Sequence, residues 1–220
     1  DDDVRDAARL HSFDSRRRAR EASDVLLTTL TTYPVMFDAL VLANWYHDRP
    51  DVAWNMAIID IETMAIVASL QQLTNIVTHR ERPYGSECGS DIEDQSQDCD
   101  GNNRFYSLFS GHASQSFTSA ALTCSHHMNL PLYGGGAVEA VPCVAGFSLA
   151  TFTAALRVYS DRHYFSDVVL GAAVGTTAGF VVPWLYYGSS GGADEAKGAS
   201  PSWSATVVPT PTGLMVQGAF

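Results

Sequence analysis

Three short segments carry residue types that could hold a phosphate-like anion and exchange protons with it. HRERPYG (79–85) contributes arginines, FSGHAS (109–114) a serine, a glycine and a histidine, and RVYSDRHYFSD (157–167) an arginine, a histidine and an aspartate. Arginine presents planar, bidentate donors to oxyanions, and histidine exchanges protons near neutral pH. The three segments together therefore indicate acid–base chemistry on a tetrahedral oxyanion.

The first segment follows a long apolar stretch and places Arg80 and Arg82 immediately before Pro83. Proline ends a helix, and arginines near a helix C-terminus interact favourably with the helix dipole. Helix termination explains this segment when it is considered alone. Considered with the other two segments, Arg82 becomes a candidate phosphate ligand.

The second segment has the composition of a helix start that binds an anion. Ser110 can cap the helix, and the free N–H groups that follow, with Gly111 allowing close approach, make an anion cradle. His112 then lies in the first turn and faces whatever the cradle holds. Capping without catalysis is the other interpretation of this segment.

The third segment places His163 four residues before Asp167. If a helix begins near His163, both residues lie on one face, and the carboxylate can accept the Nδ1–H of the imidazole. Nε2 is then free as a nucleophile or a ligand. Arg157 precedes a break in the chain and could fold back to the same pocket. The alternative is a capping histidine beside surface aspartates.

The three segments resemble the tripartite signature of the type 2 phosphatidic acid phosphatase (PAP2) superfamily, much of which vanadium haloperoxidases share. That signature reads KX6RP, PSGH and SRX5HX3D. The matching residues are Arg82-Pro83, Ser110-Gly111-His112, and Arg157, His163 and Asp167. Order and internal spacing agree, and the resemblance covers about residues 24–187.

Three positions depart from the signature. Asn75 stands where the family has lysine, and an amide cannot supply the positive charge. Lys197, far away near the end of the chain, is the only lysine, so Arg80 is the candidate replacement and a further phosphate ligand. Phe109 replaces the family proline and Leu156 the family serine, which affects loop shape and one hydrogen bond.

The resemblance implies a metal-independent phosphatase that acts on a phosphate monoester or diphosphate, with a lipid phosphate as the expected substrate. His163 would attack phosphorus and form a phosphohistidine, Asp167 would orient it, and His112 would protonate the leaving oxygen and then activate water. The implied ligands of the phosphate oxygens are Arg82, Arg157, Ser110 and the Gly111 N–H. No cofactor is implied, and vanadate is expected to inhibit.

Two other functions remain open at this stage. In the first, the same pocket holds vanadate as a cofactor and oxidises halides, with His163 as the vanadium ligand. In the second, the chain is a non-catalytic relative that binds phosphate without turning it over, for which Asn75 is the best support. The net charge of −11 argues against nucleic acid as a partner, because phosphate backbones bind basic surfaces.

Long apolar stretches separated by polar turns predict an all-α helical bundle with one long loop between core helices. The expected helical regions are 25–46, 52–79, 111–127, 137–160 and 168–187. Residues 1–23 form a polar N-terminal arm, residues 24–188 the catalytic domain, and residues 189–220 a Gly/Ser/Pro-rich tail with a candidate terminal hairpin.

Residues 168–187 carry no charge over twenty positions, which is enough to span a bilayer. Asp38, Asp60 and Glu62 lie inside the other apolar stretches, so a soluble helical core remains the alternative. We expect a membrane-associated protein of the cell envelope, with a soluble periplasmic or secreted protein as the other location. His126 and His127 are interpreted as the end of a helix.

The four cysteines show no CxxC spacing, which makes a zinc site improbable. Two disulfides fit instead, Cys88–Cys99 across a polar acidic loop and Cys124–Cys143. They would place the active site in an oxidising compartment. Four free thiols are the alternative.

Overall fold

The computed structural model describes residues 1–88, 99, 101–188, 204–210 and 213–219. The acidic loop residues 91–98 and 100, and most of the predicted tail, lie outside the described residues. The helices are α1 (Asp2–Ala8), α2 (Phe13–Tyr33), α3 (Pro50–Thr78), α4 (Gly111–Asn129), α5 (Ala140–Tyr159) and α6 (Phe165–Tyr187). A π-helical stretch, Pro34–Tyr46, continues α2, and short 3-10 turns lie at Pro83–Glu87, Asn102–Phe105 and Gly136–Glu139. The all-α bundle is therefore confirmed.

The predicted terminal hairpin is also present. Strand β1 (Ser204–Thr210) pairs antiparallel with β2 (Gly213–Ala219) after the helical bundle. At the other end of the chain, α2 begins at Phe13 because the Ser12 side chain accepts the Ser15 N–H at 3.2 Å. Helix α2 is continuous across residue 23, and the division into arm, domain and tail stays a prediction.

Helix α4 is the central helix, although serine, threonine and alanine dominate its sequence. Most of its residues are buried by the surrounding helices. Several of its hydroxyls donate to a carbonyl one turn earlier, as Thr118 does to Ser114 at 2.8 Å and Ser119 to Gln115 at 2.9 Å. A helix of this composition can therefore lie in the core without leaving those hydroxyls unpaired.

Helix α6 packs directly against the backbone of α4 through three glycines spaced by four residues. A Cβ at Gly171 would lie 2.7 Å from the Ser110 carbonyl oxygen, and one at Gly175 would overlap the Ser114 carbonyl oxygen. A Cβ at Gly179 would meet Ala121 at 2.6 Å. Glycine is needed here because any side chain would push the two helices apart.

Four helical segments are long and apolar enough to cross a membrane, judged by length and composition. They are Phe13–Tyr46, Pro50–Glu87, Gly136–Tyr159 and Phe165–Tyr187. Large apolar side chains on these segments face outwards, among them Trp54, Val144 and Trp184, each at least 65% exposed. This surface agrees with the expected membrane association.

Both predicted disulfides are present. Cys88–Cys99 closes the acidic loop that follows the Pro83–Glu87 turn, and Cys124–Cys143 joins α4 to α5. The predicted disulfide-stapled loop between core helices is therefore confirmed.

The histidine pair near the end of α4 does more than end a helix. The His126 imidazole contacts Asp60 through Nε2 at 2.7 Å and the Tyr187 hydroxyl through Nδ1 at 2.7 Å. His127 contacts Glu139 through Nδ1 at 2.5 Å. These buried contacts join α3, α4, α6 and the turn before α5, so the interpretation of the pair as a simple helix end was incomplete.

Candidate active site

The motif residues gather at one end of the bundle because three helix ends meet there. Ser110 precedes α4, Arg157 lies in the last turn of α5, and Asp167 lies in the first turn of α6. The Ser110 N–H donates to the Asp167 carbonyl oxygen at 3.1 Å, and Gly171 lets α6 approach the same point. Helix packing therefore joins the second and third sequence motifs.

His163 is a buried histidine whose orientation is fixed from one side. It is 3% exposed, and its Nδ1 lies 2.9 Å from the Ser107 carbonyl oxygen. A carbonyl oxygen only accepts, so Nδ1 carries the hydrogen and Nε2 carries the lone pair. Nε2 is therefore the nitrogen available for attack or ligation.

The expected direct hydrogen bond between His163 and Asp167 is not formed. Their closest atoms, Nδ1 and Oδ2, are 3.9 Å apart. The physical reason is that α6 begins at Phe165, so His163 precedes the helix. The Asp167 carboxylate instead accepts the backbone N–H of Tyr164 at 3.0 Å and caps the first turn.

Asp167 organises the site through other groups. Its fully buried carboxylate accepts the Ser107 hydroxyl at 2.6 Å and Nη1 of Arg80 at 2.5 Å. Ser107 thus contacts Asp167 with its hydroxyl and His163 with its carbonyl. Ser107 therefore links Asp167 to His163, a link that no sequence pattern indicated.

The electrostatic surroundings keep His163 neutral. Burial lowers its pKa well below the ordinary histidine value, and the charges of Arg82 and Arg157 lower it further. The hydrogen bond to Ser107 acts in the opposite direction, and His112 adds a smaller lowering. The charges of Arg82 and Arg157 therefore favour the uncharged form of the His163 imidazole.

Arg157 is a buried guanidinium with capacity left for an anion. It is 4% exposed, and its Nη1 donates to the Ser23 hydroxyl at 2.8 Å and lies 3.4 Å from Oδ1 of Asp24. Its Nε–H has no hydrogen-bond partner among the described residues. A buried donor without a partner is costly, and a phosphate oxygen would satisfy it.

Arg82 is held by the polypeptide backbone beside this pocket. Its backbone N–H donates to Arg104 at 2.8 Å, and its Nε donates to the Tyr106 carbonyl at 3.2 Å. Its charge acts on both His163 and His112. The predicted contact of Arg82 with a phosphate oxygen stays a prediction.

Arg80 is engaged elsewhere. Its Nη1 contacts Asp167 and the Ser166 hydroxyl, and its Nη2 contacts Asp1 at 2.9 Å. The guanidinium also lies 4.6 Å from the ring centroid of Tyr164. Both terminal nitrogens are used, so these contacts give no support to the predicted phosphate contact of Arg80.

The second motif starts α4 as expected. The Ser110 side chain accepts the Ala113 N–H at 3.4 Å, which makes it the helix cap. The His112 side chain is 24% exposed, and its Nε2 lies 2.6 Å from Oδ1 of Asp24 on α2. Burial and then the Arg157 charge lower the pKa of His112 to about 4, against the raising effect of Asp24.

Asn75, at the family lysine position, is buried near the end of α3. Its side chain is almost inaccessible, and its Oδ1 has no hydrogen-bond partner among the described residues. Among all the residues that the structure describes, no group of three or more His, Cys, Asp or Glu side chains could hold a metal ion.

Three residues of the site were missed by sequence reasoning: Ser107, Ser23 and Asp24. Ser107 lies three residues before the recognised Ser110, in a segment with no pattern of its own. Ser23 and Asp24 form a polar pair at the start of an apolar run, and this polar pair was a signal from which they could have been found. Only the packing of α2 against α4 and α5 brings them to the motifs.

The comparison with protein families decides the assignment. The model of the PAP2 superfamily matches residues 57–190, which contain all three motifs. The chain belongs to the PAP2 superfamily. Arg82, His112 and His163 all lie within the matched region.

One curated relative is the lipid A 1-phosphatase of Porphyromonas gingivalis. This PAP2 chain is 35% identical to it over 77 residues, which are 34% of this chain and 15% of the relative. The alignment thus spans about a seventh of the relative's length. No solved structure matches this PAP2 chain.

Proposed function

We propose that this PAP2 protein is a phosphatase that hydrolyses a phosphate monoester or diphosphate through a phosphohistidine on His163. The observation that carries the proposal is the surroundings of His163. Its Nδ1 is fixed by a carbonyl oxygen, and the charges of Arg82, Arg157 and His112 lower its pKa. A neutral imidazole among cationic groups is suited to attack an anionic phosphorus centre.

In the first step, the Nε2 lone pair of His163 attacks phosphorus and forms a P–N bond. The bond from phosphorus to the leaving oxygen breaks, and the protonated form of His112, which the negative charge of a bound phosphate favours, transfers a proton to that oxygen. Arg82, Arg157 and the N–H groups at the start of α4 stabilise the equatorial oxygens as charge redistributes. This step therefore needs no reactant besides the substrate, His163 and His112.

In the second step, water attacks the phosphohistidine. His112, now neutral, accepts a proton from the water as its oxygen bonds to phosphorus, and the P–N bond to His163 breaks. Inorganic phosphate leaves, and both imidazoles return to their starting protonation states. Asp167 keeps His163 oriented throughout through Ser107.

We further propose that the substrate is a lipid phosphate. The support is the set of four apolar segments that could cross a membrane, because a phosphate attached to a lipid is held at the membrane surface. The P. gingivalis relative is named as a phosphatase of a lipid. The Cys88–Cys99 disulfide adjoins the turn that begins after Arg82, which supports a site facing an oxidising compartment of the cell envelope.

A panel of substrates tests this proposal. Phosphate release is measured from an aryl phosphate, phosphatidate and a polyprenyl diphosphate, each with and without vanadate. We expect turnover of the lipid substrates and inhibition by vanadate, which can occupy the phosphate pocket. Phosphate binding without release from any member would instead favour the non-catalytic relative suggested by Asn75, and vanadate-dependent bromide oxidation would favour a haloperoxidase.

A substitution at Gly111 tests anion binding separately from the stability of the fold. The nearest atoms to an added Cβ would be those of the Gln71 side chain, at an ordinary contact distance of 3.5 Å. We therefore expect Gly111→Ala to retain wild-type thermal stability while phosphate release falls by about 10-fold or more, because a methyl group intrudes on the anion cradle. The melting temperature and the initial rate of phosphate release are measured for the wild type and for Gly111→Ala. Unchanged activity would exclude an anion bound close to Gly111.

A further inference from the structure

Asp24 lies outside the three family motifs, yet it makes the shortest polar contact of His112. Its Oδ1 is 2.6 Å from Nε2 of His112 and 3.4 Å from Nη1 of Arg157. Resting on the proposed function, we propose that Asp24 is a positioning residue that orients His112 for proton transfer to the leaving group.

The geometry distinguishes the two partners of Asp24. The neighbouring Ser23, which is fully buried, accepts the same Arg157 nitrogen at the shorter distance of 2.8 Å. Arg157 is therefore oriented chiefly by Ser23, and the short contact of Asp24 belongs to His112. Both residues lie inside the continuous helix α2, so the carboxylate is presented from a rigid element.

The contact fixes the proton positions of His112. A carboxylate only accepts, so Nε2 of His112 carries a hydrogen directed at Asp24. Nδ1 is then the atom that donates a proton to the leaving oxygen in the first step and accepts one from water in the second. This is the arrangement by which a carboxylate fixes the tautomer of a catalytic histidine.

The charge of Asp24 also opposes the cations around His112. Burial, Arg157 on α5 and Arg82 in the loop all lower the pKa of His112, whereas the hydrogen bond and charge of Asp24 raise it. His163 also faces the same pocket. Without Asp24, a smaller fraction of His112 would be protonated at any given pH, and protonation of a poor leaving group would become slower.

The test compares two leaving groups in the full chain. An alkyl phosphate needs a proton from His112, whereas 2,4-dinitrophenyl phosphate has a leaving group that departs without one. We expect Asp24→Asn to lower kcat/KM for the alkyl phosphate by about 10- to 100-fold. For the dinitrophenyl ester the expected change is less than about 3-fold, because proton donation contributes little there.

Two further readouts sharpen the test. Because Asp24 raises the pKa of His112, Asp24→Asn should move the alkaline fall in kcat/KM for the alkyl phosphate to lower pH. Asp24→Glu should restore part of the rate. Asp14→Asn, which changes another exposed carboxylate of α2, is the matched control and should behave as wild type.

Three results would overturn the inference while the wild type remains active. Equal losses on both substrates would indicate a structural role, and unchanged rates would indicate none. Faster turnover by Asp24→Asn would show that the carboxylate competes with the substrate for Arg157. A wild type that releases no phosphate from any substrate would instead overturn the proposed function, and this inference with it.

Discussion

His163→Ala is expected to lower phosphate release by at least about 10⁴-fold, because it removes the nucleophile itself. His163 is buried, and its Nδ1 is held by the Ser107 carbonyl, so its Nε2 is the nitrogen with a free lone pair. The measurement is kcat/KM on the best substrate of the panel. His11→Ala, at an exposed histidine, is the matched control and should retain full activity.

The same substitution tests the covalent step when it is compared with His112→Ala. With 2,4-dinitrophenyl phosphate, His112→Ala should still form the phosphoenzyme but hydrolyse it slowly, because the base for water is missing. Labelled phosphate should then accumulate on the protein in an acid-labile, alkali-stable form. His163→Ala should accumulate none. Retained turnover in His163→Ala, or label at another residue in the wild type, would contradict the proposed mechanism.

Gly175→Leu is expected to destabilise the bundle by at least about 3 kcal/mol and to abolish activity. A Cβ at Gly175 would overlap the Ser114 carbonyl oxygen, which belongs to the backbone of α4 and cannot move aside as a side chain could. Helix α6 would be displaced from α4, and Asp167 would separate from Ser110. The melting temperature in detergent should fall by about 10 °C, a typical response to such a loss.

Ala173→Val is the control for this substitution, because Ala173 lies on the exposed face of the same helix. It adds two methyl groups to α6 without contact to α4, and we expect little change in melting temperature or activity. If Gly175→Leu melted as the wild type does, the close packing of α4 and α6 would be wrong. If it lost stability but kept full activity, α6 would not position the site.

Local features of the sequence were sufficient for the helical class and for the motif assignment, although α1 and the first half of α2 lie in the stretch expected to be a polar arm. Hydrophobic stretches ended by proline and glycine predicted the bundle, and α4 starts at Gly111 because Ser110 caps it. The cysteine pairs were predictable because a bridge across a short loop has few alternatives. The spacing of RP, SGH and RX5HX3D indicated the PAP2 superfamily, because each motif is contiguous and carries its own pattern.

Side-chain partners were predicted less well, because they depend on where helix ends meet. Asp167 was expected to bind His163, but a helix start two residues later directs its carboxylate to Ser107, Arg80 and the helix cap. The sequence also did not show that Arg80 contacts Asp167, and its predicted phosphate contact stays a prediction. A one-dimensional spacing constrains two residues to the same turn, but it does not choose between competing hydrogen-bond partners.

By itself, the sequence determined the all-α class, the disulfide pairs and the identity of the motif residues, since these follow from local periodicity and contiguous patterns. Only the tertiary structure decided that Asp24 contacts His112 and that Asp60 pairs with His126. Those contacts join helices 66 to 88 residues apart in the chain. Nothing local encodes such pairs, because they arise when the glycines of α6 and the small residues of α4 let the surrounding helices close around one buried core.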